Sequence, residues 1–318
     1  MEETKYPIAY AAANKNDLIR KSSSSGGIFF LMAKAILQDG GVVFGAKMNG
    51  SSEVEHSACE KLEDIFPFLG SKYVQSKMGD AYIEVYRYLQ KGKKVLFSGT
   101  PCQIAGLKSY LAKEYDTLYT LDLACHGVPS KKVWRSYLKE SFGEKQIKNI
   151  NFRDKTEGWK NYSLEIEFEN GEKYRKKRKR DLYMKGFLQN IYLRPSCYEC
   201  RFKGVRRESD VTLADFWQIE SMRPEMDDDK GTSFILIQSL KGERLWNRIS
   251  REVNFCQANI EDAVQNNWAI VRSVELPDKR KVFYEKIYQG EKVRYTVARL
   301  TKRTIMQKVK GRLEAFMK

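Results

Sequence analysis

The sequence predicts an α/β (mixed α+β) protein: a mixed β-sheet with flanking helices, a smaller N-terminal module and a basic, helical C-terminal tail. Short apolar runs bounded by Gly, Ser or Lys, such as Val95-Leu96-Phe97, read as buried strands. Stretches with apolar residues at helical spacing fall between them, the pattern of strands joined by helical crossovers. Near Lys279 the composition shifts toward Lys and Arg with scattered apolar residues, which marks the tail. The expected divisions are residues 1–80, 81–272 and 273–318.

With 318 residues, 42 % hydrophobic and 12 % aromatic, the chain can bury a substantial core. No apolar run approaches the roughly 20 residues of a membrane span. The charged start, Met1-Glu2-Glu3-Thr4-Lys5, lacks a signal-peptide hydrophobic region. A cytoplasmic location is expected, where clustered cysteines mean metal or redox chemistry. The formal net charge of +16 asks for an anionic partner. Nucleic acid is not expected, because no helix-turn-helix or RNA-binding aromatic signature accompanies the charge. An acidic electron-carrier protein fits, and an oligomer is compatible with the composition.

Tyr6 to Ala13 reads as a first strand. Ser22 to Ser25 and Gly26-Gly27 precede a helix carrying Ile28, Leu31, Met32, Ala35 and Ile36. The serines are expected to cap it, and the glycines allow a ligand to approach its N-terminus; a capped helix after a flexible turn is the plainer reading. Gly40-Gly41 stops the helix and Val42 to Ala46 resumes as a strand. His56 and Cys59, in a polar hairpin-like region, are read as structural. Leu69 to Ser76 is a polar loop, followed by a helix with Tyr82, Val85, Tyr86 and Leu89 on one face. After the strand at 95–97, Gly99 permits a tight turn, and Pro101 opens a helix with Cys102 in its first turn. Leu118 to Leu123 is the next strand, ending in Ala124-Cys125-His126-Gly127. Pro129-Ser130 caps a helix bearing Val133, Trp134, Tyr137 and Leu138. Ile147 to Phe152 begins a strand region, Ser163 to Phe168 alternates strictly, and Asn170-Gly171 turns a hairpin. The six basic residues from Arg175 to Arg180 read as a solvated edge, or else a patch for an acidic partner. A helix from Asp181 to Ile191 leads to Cys197-Tyr198-Glu199-Cys200. Strands follow at Ser209 to Trp217 and Ser233 to Gln238, with an exposed loop at Asp227 to Gly231 between them. Leu245, Trp246 and Ile249 begin a further helix. The tail is either packed on the body or laid on an anionic surface such as a membrane.

Cys102 and Cys125 end two successive strand units. If those strands are parallel neighbours, ~4.8 Å apart in the pairing direction, both thiols lie at the carboxyl edge where open α/β sheets bind ligands. Cys197 and Cys200 raise the count to four, a set that suits zinc or a [4Fe–4S] cluster; spacing alone leaves the two open. Cys256 is read as a small core residue.

Ser-Ser-Gly-Gly at 24–27, Gly-Ser-Lys-Tyr-Val-Gln-Ser at 70–76, Gly-Thr-Pro-Cys-Gln-Ile-Ala-Gly-Leu at 99–107, Cys-His-Gly-Val-Pro-Ser at 125–130, Phe-Arg-Asp-Lys at 152–155 with Gly158-Trp159, and Arg-Pro-Ser-Cys-Tyr-Glu-Cys at 194–200 stand in this order. Together they resemble the coenzyme F420 hydrogenase/dehydrogenase beta-subunit family over roughly residues 5 to 250. The resemblance implies an FAD-binding α/β oxidoreductase with a [4Fe–4S] cluster. It would pass electrons between a one-electron iron–sulfur carrier, a ferredoxin or partner subunit, and a two-electron acceptor at the flavin, coenzyme F420 or another. On this resemblance Cys102, Cys125, Cys197 and Cys200 are the cluster ligands. Ser24, Ser25, Gly26 and Gly27 contact the flavin, as do Ser71, Lys72, Tyr73 and Gln75 from the polar loop. Ser98, Gly99, Thr100, Pro101 and Gln103 complete that set, and the 1–80 module becomes a flavin-contacting one. Arg153, Lys155 and Trp159 are assigned to the substrate.

Lys72 would place positive charge near the flavin N1/C2 carbonyl, its plain alternative being a surface lysine. His126, beside a cluster ligand, would shuttle a proton or simply cap a turn. Two features depart from the pattern. Relatives often carry a ferredoxin-like cysteine segment ahead of the region starting here at Tyr6; without it, electrons are expected from a separate carrier. Where the pattern has Gly-Asp-Phe-Trp-Gly, this chain has Ala214-Asp215-Phe216-Trp217-Gln218. Two rival classes stay open: a cluster-holding electron-transfer or scaffold subunit with no substrate of its own, and a zinc-stapled basic interaction protein.

Overall fold

The computed structural model describes residues 6–48 and 52–302, without the side chains of residues 262 and 263. In chain order its main elements begin with β1 (Ile8–Asn14), α1 (Asp17–Ser22), α2 (Ile28–Gln38), β2 (Val42–Met48), β3 (Val54–Cys59) and α3 (Ala81–Gln90). β4 (Val95–Ser98), α4 (Pro101–Leu111), β5 (Leu118–Leu123) and α5 (Lys131–Phe142) form the centre. β6 (Ile147–Asp154), β7 (Ser163–Phe168), β8 (Lys173–Lys177) and α6 (Leu182–Leu188) follow. The remainder is β9 (Val211–Asp215), α7 (Ile219–Met222), β10 (Ser233–Ile237), α8 (Leu240–Ile249), β11 (Val253–Gln257), α9 (Ile260–Asn266), α10 (Lys279–Tyr288) and α11 (Val293–Leu300).

The fold is mixed α/β. Eight strands form one sheet in the order β11-β1-β10-β9-β5-β4-β2-β3. Its middle, β9-β5-β4-β2, is parallel, and the flanking pairs are antiparallel. The parallel strands are buried on both faces, which is why Val95-Leu96-Phe97 reads as an unbroken apolar run. On one face α2 and α8 contribute Leu31, Met32, Ile36, Leu245 and Trp246 to a core. On the other, α3 and α4 bring Val85, Leu89, Ile104 and Leu107 against Phe44 and Phe97. The expected boundary at residue 80 falls between β3 and α3, and both sides of it supply strands to the same sheet.

A smaller antiparallel sheet, β6-β7-β8, packs with α5, α6, α10 and α11 around Trp134, Tyr137, Tyr183 and Tyr192. The Asn170-Gly171 turn forms as its residues dictate, Gly171 taking φ +83°. The basic run begins in the exposed edge strand β8. Through residue 302 the basic tail is packed on the body: Phe283, Val293 and Val297 are buried in the smaller core. The tail beyond 302, like the charged start at 1–5, lies outside the described residues.

Four local expectations are corrected. The serines do not cap α2; its N-cap is Gly27, in the left-handed region at φ +79°, with no side-chain cap. A short helix, α1, precedes them, capped by Asn16, whose side chain accepts from the N–H groups of Leu18 and Ile19. Tyr86 does not share the buried face of α3, since the helix buries Ala81, Val85 and Leu89 while Tyr86 is exposed. The triple-Asp loop is not a free surface loop: Asp228 is bound bidentately by the buried Arg20, at 2.7 Å for each bond.

Candidate functional site

The pairing register fixes where the first two thiols stand. Ser98 of β4 lies level with Leu121 of β5, and Cys102 and Cys125 each follow these partners by four residues. β4 runs into Gly99 and Thr100 and then α4, whose first turn is closed by a capping box. The Gln103 side-chain oxygen accepts the Thr100 N–H at 2.8 Å, while the Gln103 amide donates to Ser76 Oγ at 3.0 Å. Gln103 is thus occupied in holding α4 to the polar loop. Thr100 Oγ1 lies 3.1 Å from Cys102 Sγ.

Cys125 follows β5, and the Lys203 ammonium donates to its carbonyl at 2.6 Å. Cys197 Sγ accepts the Val128 N–H at 3.4 Å, and the Cys200 N–H donates to Ser273 Oγ at 2.8 Å. The segment carrying Cys197 and Cys200 is clamped from the tail. Arg280 donates to the Leu193 carbonyl at 2.8 Å and its guanidinium lies 5.2 Å from the Tyr198 ring centre. Burial pushes the Cys125 thiol up to about 12, with Lys203 opposing and Cys197 and Cys102 adding to the rise. Burial raises Cys197 as well, and Cys102 and Cys200 again add to it. Cys125 thus feels the charge of Cys102 and Cys197, and Cys197 that of Cys102 and Cys200. Among the described residues, no group of three or more His, Cys, Asp or Glu side chains is drawn together to hold a metal ion as it stands. In kind, four cysteine thiols suit an iron–sulfur cluster, and a main-chain N–H is already directed at the sulfur of Cys197.

His126, next to Cys125, has Nε2 2.7 Å from Asn190 Oδ1, and burial lowers its pKa. Its ring centre is 4.9 Å from that of Phe187. Gly127 turns the chain here at φ +151°, where an added Cβ would press on Leu193.

The serine–glycine loop lies beside the second candidate group. Ser24 Oγ accepts the Ser71 N–H at 2.5 Å and sits 2.8 Å from Ser71 Oγ, joining residues 24–27 to the loop carrying Lys72, Tyr73 and Gln75. Lys72 Nζ donates to the Leu69 carbonyl at 2.8 Å, and burial pulls its pKa down to about 7. Tyr73 stacks on Phe187 with ring centres 4.7 Å apart. Ser98 is engaged through its carbonyl, 3.2 Å from His56 Nε2. His56 itself is buried in β3, stacked on Phe97, and burial lowers its pKa to about 4.

Arg153, Lys155 and Trp159 grip the serine–glycine loop by its carbonyls. The Ser24 carbonyl accepts from Arg153 and from Trp159 Nε1, each at 3.1 Å. Lys155 donates to the carbonyls of Arg20, Ser25 and Lys230 at 2.6, 3.1 and 2.8 Å. Arg153 is also paired with Asp215, at 2.9 and 3.2 Å. The Arg153 terminal nitrogens, the Lys155 ammonium and the Trp159 indole N–H are thus turned onto protein atoms, while Arg153 Nε is buried without a partner among the described residues. Gly26 has a packing role, since an added Cβ would run into the Ala12 carbonyl oxygen and lie 2.9 Å from Ser233 N. At the N-terminus of α2, by contrast, Gly27 provides no side-chain cap, which leaves a first turn suited to an anion.

Several residues of the site carried no sequence signal of their own: Arg20, Phe187, Lys203, Ser273 and Arg280. Asn190 offered a faint one, because Asn tolerates its left-handed φ of +61° better than most residues.

The eight-stranded sheet, with two cysteines just past its parallel strand ends and the serine–glycine loop nearby, defines a class of fold, mixed α/β. The chain belongs to the coenzyme F420 hydrogenase/dehydrogenase beta-subunit family: the pattern describing the C terminus of the coenzyme F420 hydrogenase/dehydrogenase beta subunit matches residues 92–263. Among solved structures, the xenon-derivatized F420-reducing [NiFe] hydrogenase complex from Methanosarcina barkeri contains a chain of the same fold. The two are 19 % identical, with a TM-score of 0.55, and the match covers 93 % of this chain and 94 % of that one. No curated protein matches the sequence. No described helix is long and apolar enough to cross a membrane.

Proposed function

We propose that this chain is an FAD- and [4Fe–4S]-dependent oxidoreductase subunit. It passes electrons between a one-electron iron–sulfur carrier, a ferredoxin or ferredoxin-like subunit, and a two-electron acceptor at the flavin, F420 or a similar hydride carrier. The observation that carries the reading is the position of Phe187. Its ring stacks on Tyr73 at the serine–glycine loop and contacts His126 beside Cys125. Two candidate cofactor regions therefore share one aromatic wall.

Cys102, Cys125, Cys197 and Cys200 would hold the cluster, and the α2 N-terminus would take the flavin diphosphate. The bound pair would supply the exchange of one hydride for two single electrons. The protein's part is binding and charge placement. Arg153, Lys155 and Trp159 fix the carbonyls of residues 24 and 25, and through them the loop that receives the phosphates. Ser71, Tyr73 and Gln75 would help to hold the flavin, and Lys72 would bring it an ammonium whose charge changes near neutral pH. Thr100 and Gln103 act one step back, by closing the turn that bears Cys102. His126, held by Asn190, is the group placed to move a proton.

The test is an ultraviolet–visible spectrum with metal analysis on protein purified without oxygen. A flavin band with about four irons per chain, the iron lost in Cys197→Ser, is the expected result. A colourless zinc protein that stays colourless after reconstitution with iron, sulfide and FAD refutes the reading. Iron without flavin leaves an electron-transfer subunit lacking its own substrate.

A further inference from the structure

We propose that the cleft behind the thiols, lined by the segment after Cys200, is the docking surface for an acidic iron–sulfur carrier protein. This rests on the function proposed above and adds where its one-electron partner binds.

The cleft encloses about 110 Å³. One wall is Pro101 and Ile104 at the start of α4, and the other is the chain from Arg201 to Ser209. Three of the four thiols border it through the backbone. Pro101 precedes Cys102, Arg201 follows Cys200, and Lys203 reaches across to the Cys125 carbonyl.

Its charge is one-sided. Asp122 and Arg207, both buried, pair at 3.4 Å and cancel on the floor. Above them stand Arg201 and Lys203, with Arg206 and the carboxylate of Glu208 beside them. Arg201 is exposed and makes no hydrogen bond or ion pair with the described residues, and Lys203 is held only by main-chain carbonyls. Phe202, 38 % exposed, gives the patch an apolar centre. Cations around an exposed aromatic ring suit a protein partner with an acidic rim.

Half of the more conspicuous basic run at 175–180 is satisfied by its own neighbours, and none of its residues borders the thiols. Arg175 is paired with Glu165 and Asp154, Lys177 with Glu157, and Arg178 lies 4.9 Å over the Tyr162 ring. Each docking event would oxidise the reduced carrier by one electron and reduce the thiol-held site by one, with no bond made or broken.

The test uses the reconstituted full chain and an acidic two-cluster ferredoxin as probe. In Arg201→Glu/Arg206→Glu the second-order rate of reduction by reduced ferredoxin at low salt should fall at least ~10-fold and lose its salt dependence. Reduction by dithionite should stay unchanged. The control Lys176→Glu/Lys179→Glu should behave as wild type. Equal rates in wild type and the double variant, or an equal loss in the control, overturn the docking surface. If no cluster assembles, the function reading fails, and the surface is still judged by salt-sensitive binding of oxidised ferredoxin. Binding that the double variant leaves intact, or no binding at all, overturns it.

Discussion

Arg153 is the residue through which the bracing of the site is best tested. It is 3 % exposed, and its guanidinium makes two bonds to Asp215, one to the Ser24 carbonyl and one to Tyr73 Oη, the last at 3.2 Å. Arg153→Met leaves the Asp215 carboxylate without its partner. Breaking a buried ion pair from one side costs about 3–5 kcal/mol. Asp215→Leu strands the guanidinium and is expected to cost about as much. In Arg153→Met/Asp215→Leu both charges are gone. What stays unserved is modest, because Trp159 still donates to the Ser24 carbonyl; the remaining loss is the Tyr73 hydroxyl's bond and the guanidinium's contact with the Tyr162 ring, whose centre lies 4.0 Å away, together about 2 kcal/mol. The double variant should therefore be more stable than either single one. The cycle is read by urea denaturation followed through tryptophan fluorescence. If the double variant loses the sum of the single losses to within about 0.5 kcal/mol, Arg153 and Asp215 are not coupled and the bracing argument fails.

Three further outcomes follow from single positions. Gln218 sits at φ +61°, where the family pattern carries glycine. Relieving about 1 kcal/mol of left-handed strain exceeds the cost of the unfolded chain's added freedom, so Gln218→Gly should gain up to about 0.5 kcal/mol; a loss of that size in thermal melts refutes the strain. Lys72 and Lys155 are both pulled down to about 7, mainly by burial. Between pH 7 and 10.5 the unfolded chain keeps protons that the folded chain has released, so flavin-free stability rises with pH, by up to about 1.4 kcal/mol per unit for each lysine. Lys72→Met should remove one lysine's share of that slope in urea titrations at pH 7.5 to 9, and an unchanged slope counts against a buried ammonium. Arg280→Met frees the segment bearing Cys197 and Cys200 and should lower the iron retained after desalting at least about twofold, with a stability loss of about 1–3 kcal/mol; full iron retention would show the tail clamp to be dispensable.

Local signals made the sheet legible. The unit from Val95 to Leu111 combines an apolar run, a glycine turn, a proline at the first helical position and helical spacing, and all point the same way. The Asn170-Gly171 hairpin is equally self-contained. The jobs of Arg153, Lys155 and Trp159 were not legible, because the carbonyls they hold at residues 24 and 25 lie 129 to 135 positions away. Their motif marked them as important, and chemistry at a substrate was the natural inference from charge and aromaticity. The same distance hid Asp228, whose triple-Asp surroundings look solvated until Arg20 is brought to it from 208 positions away. Ser22 to Ser25 misled in the other direction. Their cap-like composition concealed a short helix that Asn16 had already signalled.

Hydrogen-bond bookkeeping separates two kinds of residue within the family motifs. Arg153 through its terminal nitrogens, Lys155, Trp159 and Gln103 donate to protein atoms, so their effect on a ligand is exerted mainly through loops they hold still. The thiols, Lys72 and the α2 N-terminus keep capacity in reserve. Between these two open regions lies the ring of Phe187, and it yields a prediction that depends on the function and not on stability. Phe187→Leu keeps much of the apolar volume at a cost of about 1–1.5 kcal/mol, but removes the stack on Tyr73 and the contact with His126. Both cofactors should still load, judged by flavin absorbance and iron content. Stopped-flow reduction of the flavin by dithionite-reduced cluster should slow, while hydride exchange at the flavin with a small acceptor stays as in wild type. If internal transfer is as fast as before, the shared aromatic wall is packing alone and the two regions exchange electrons by another route.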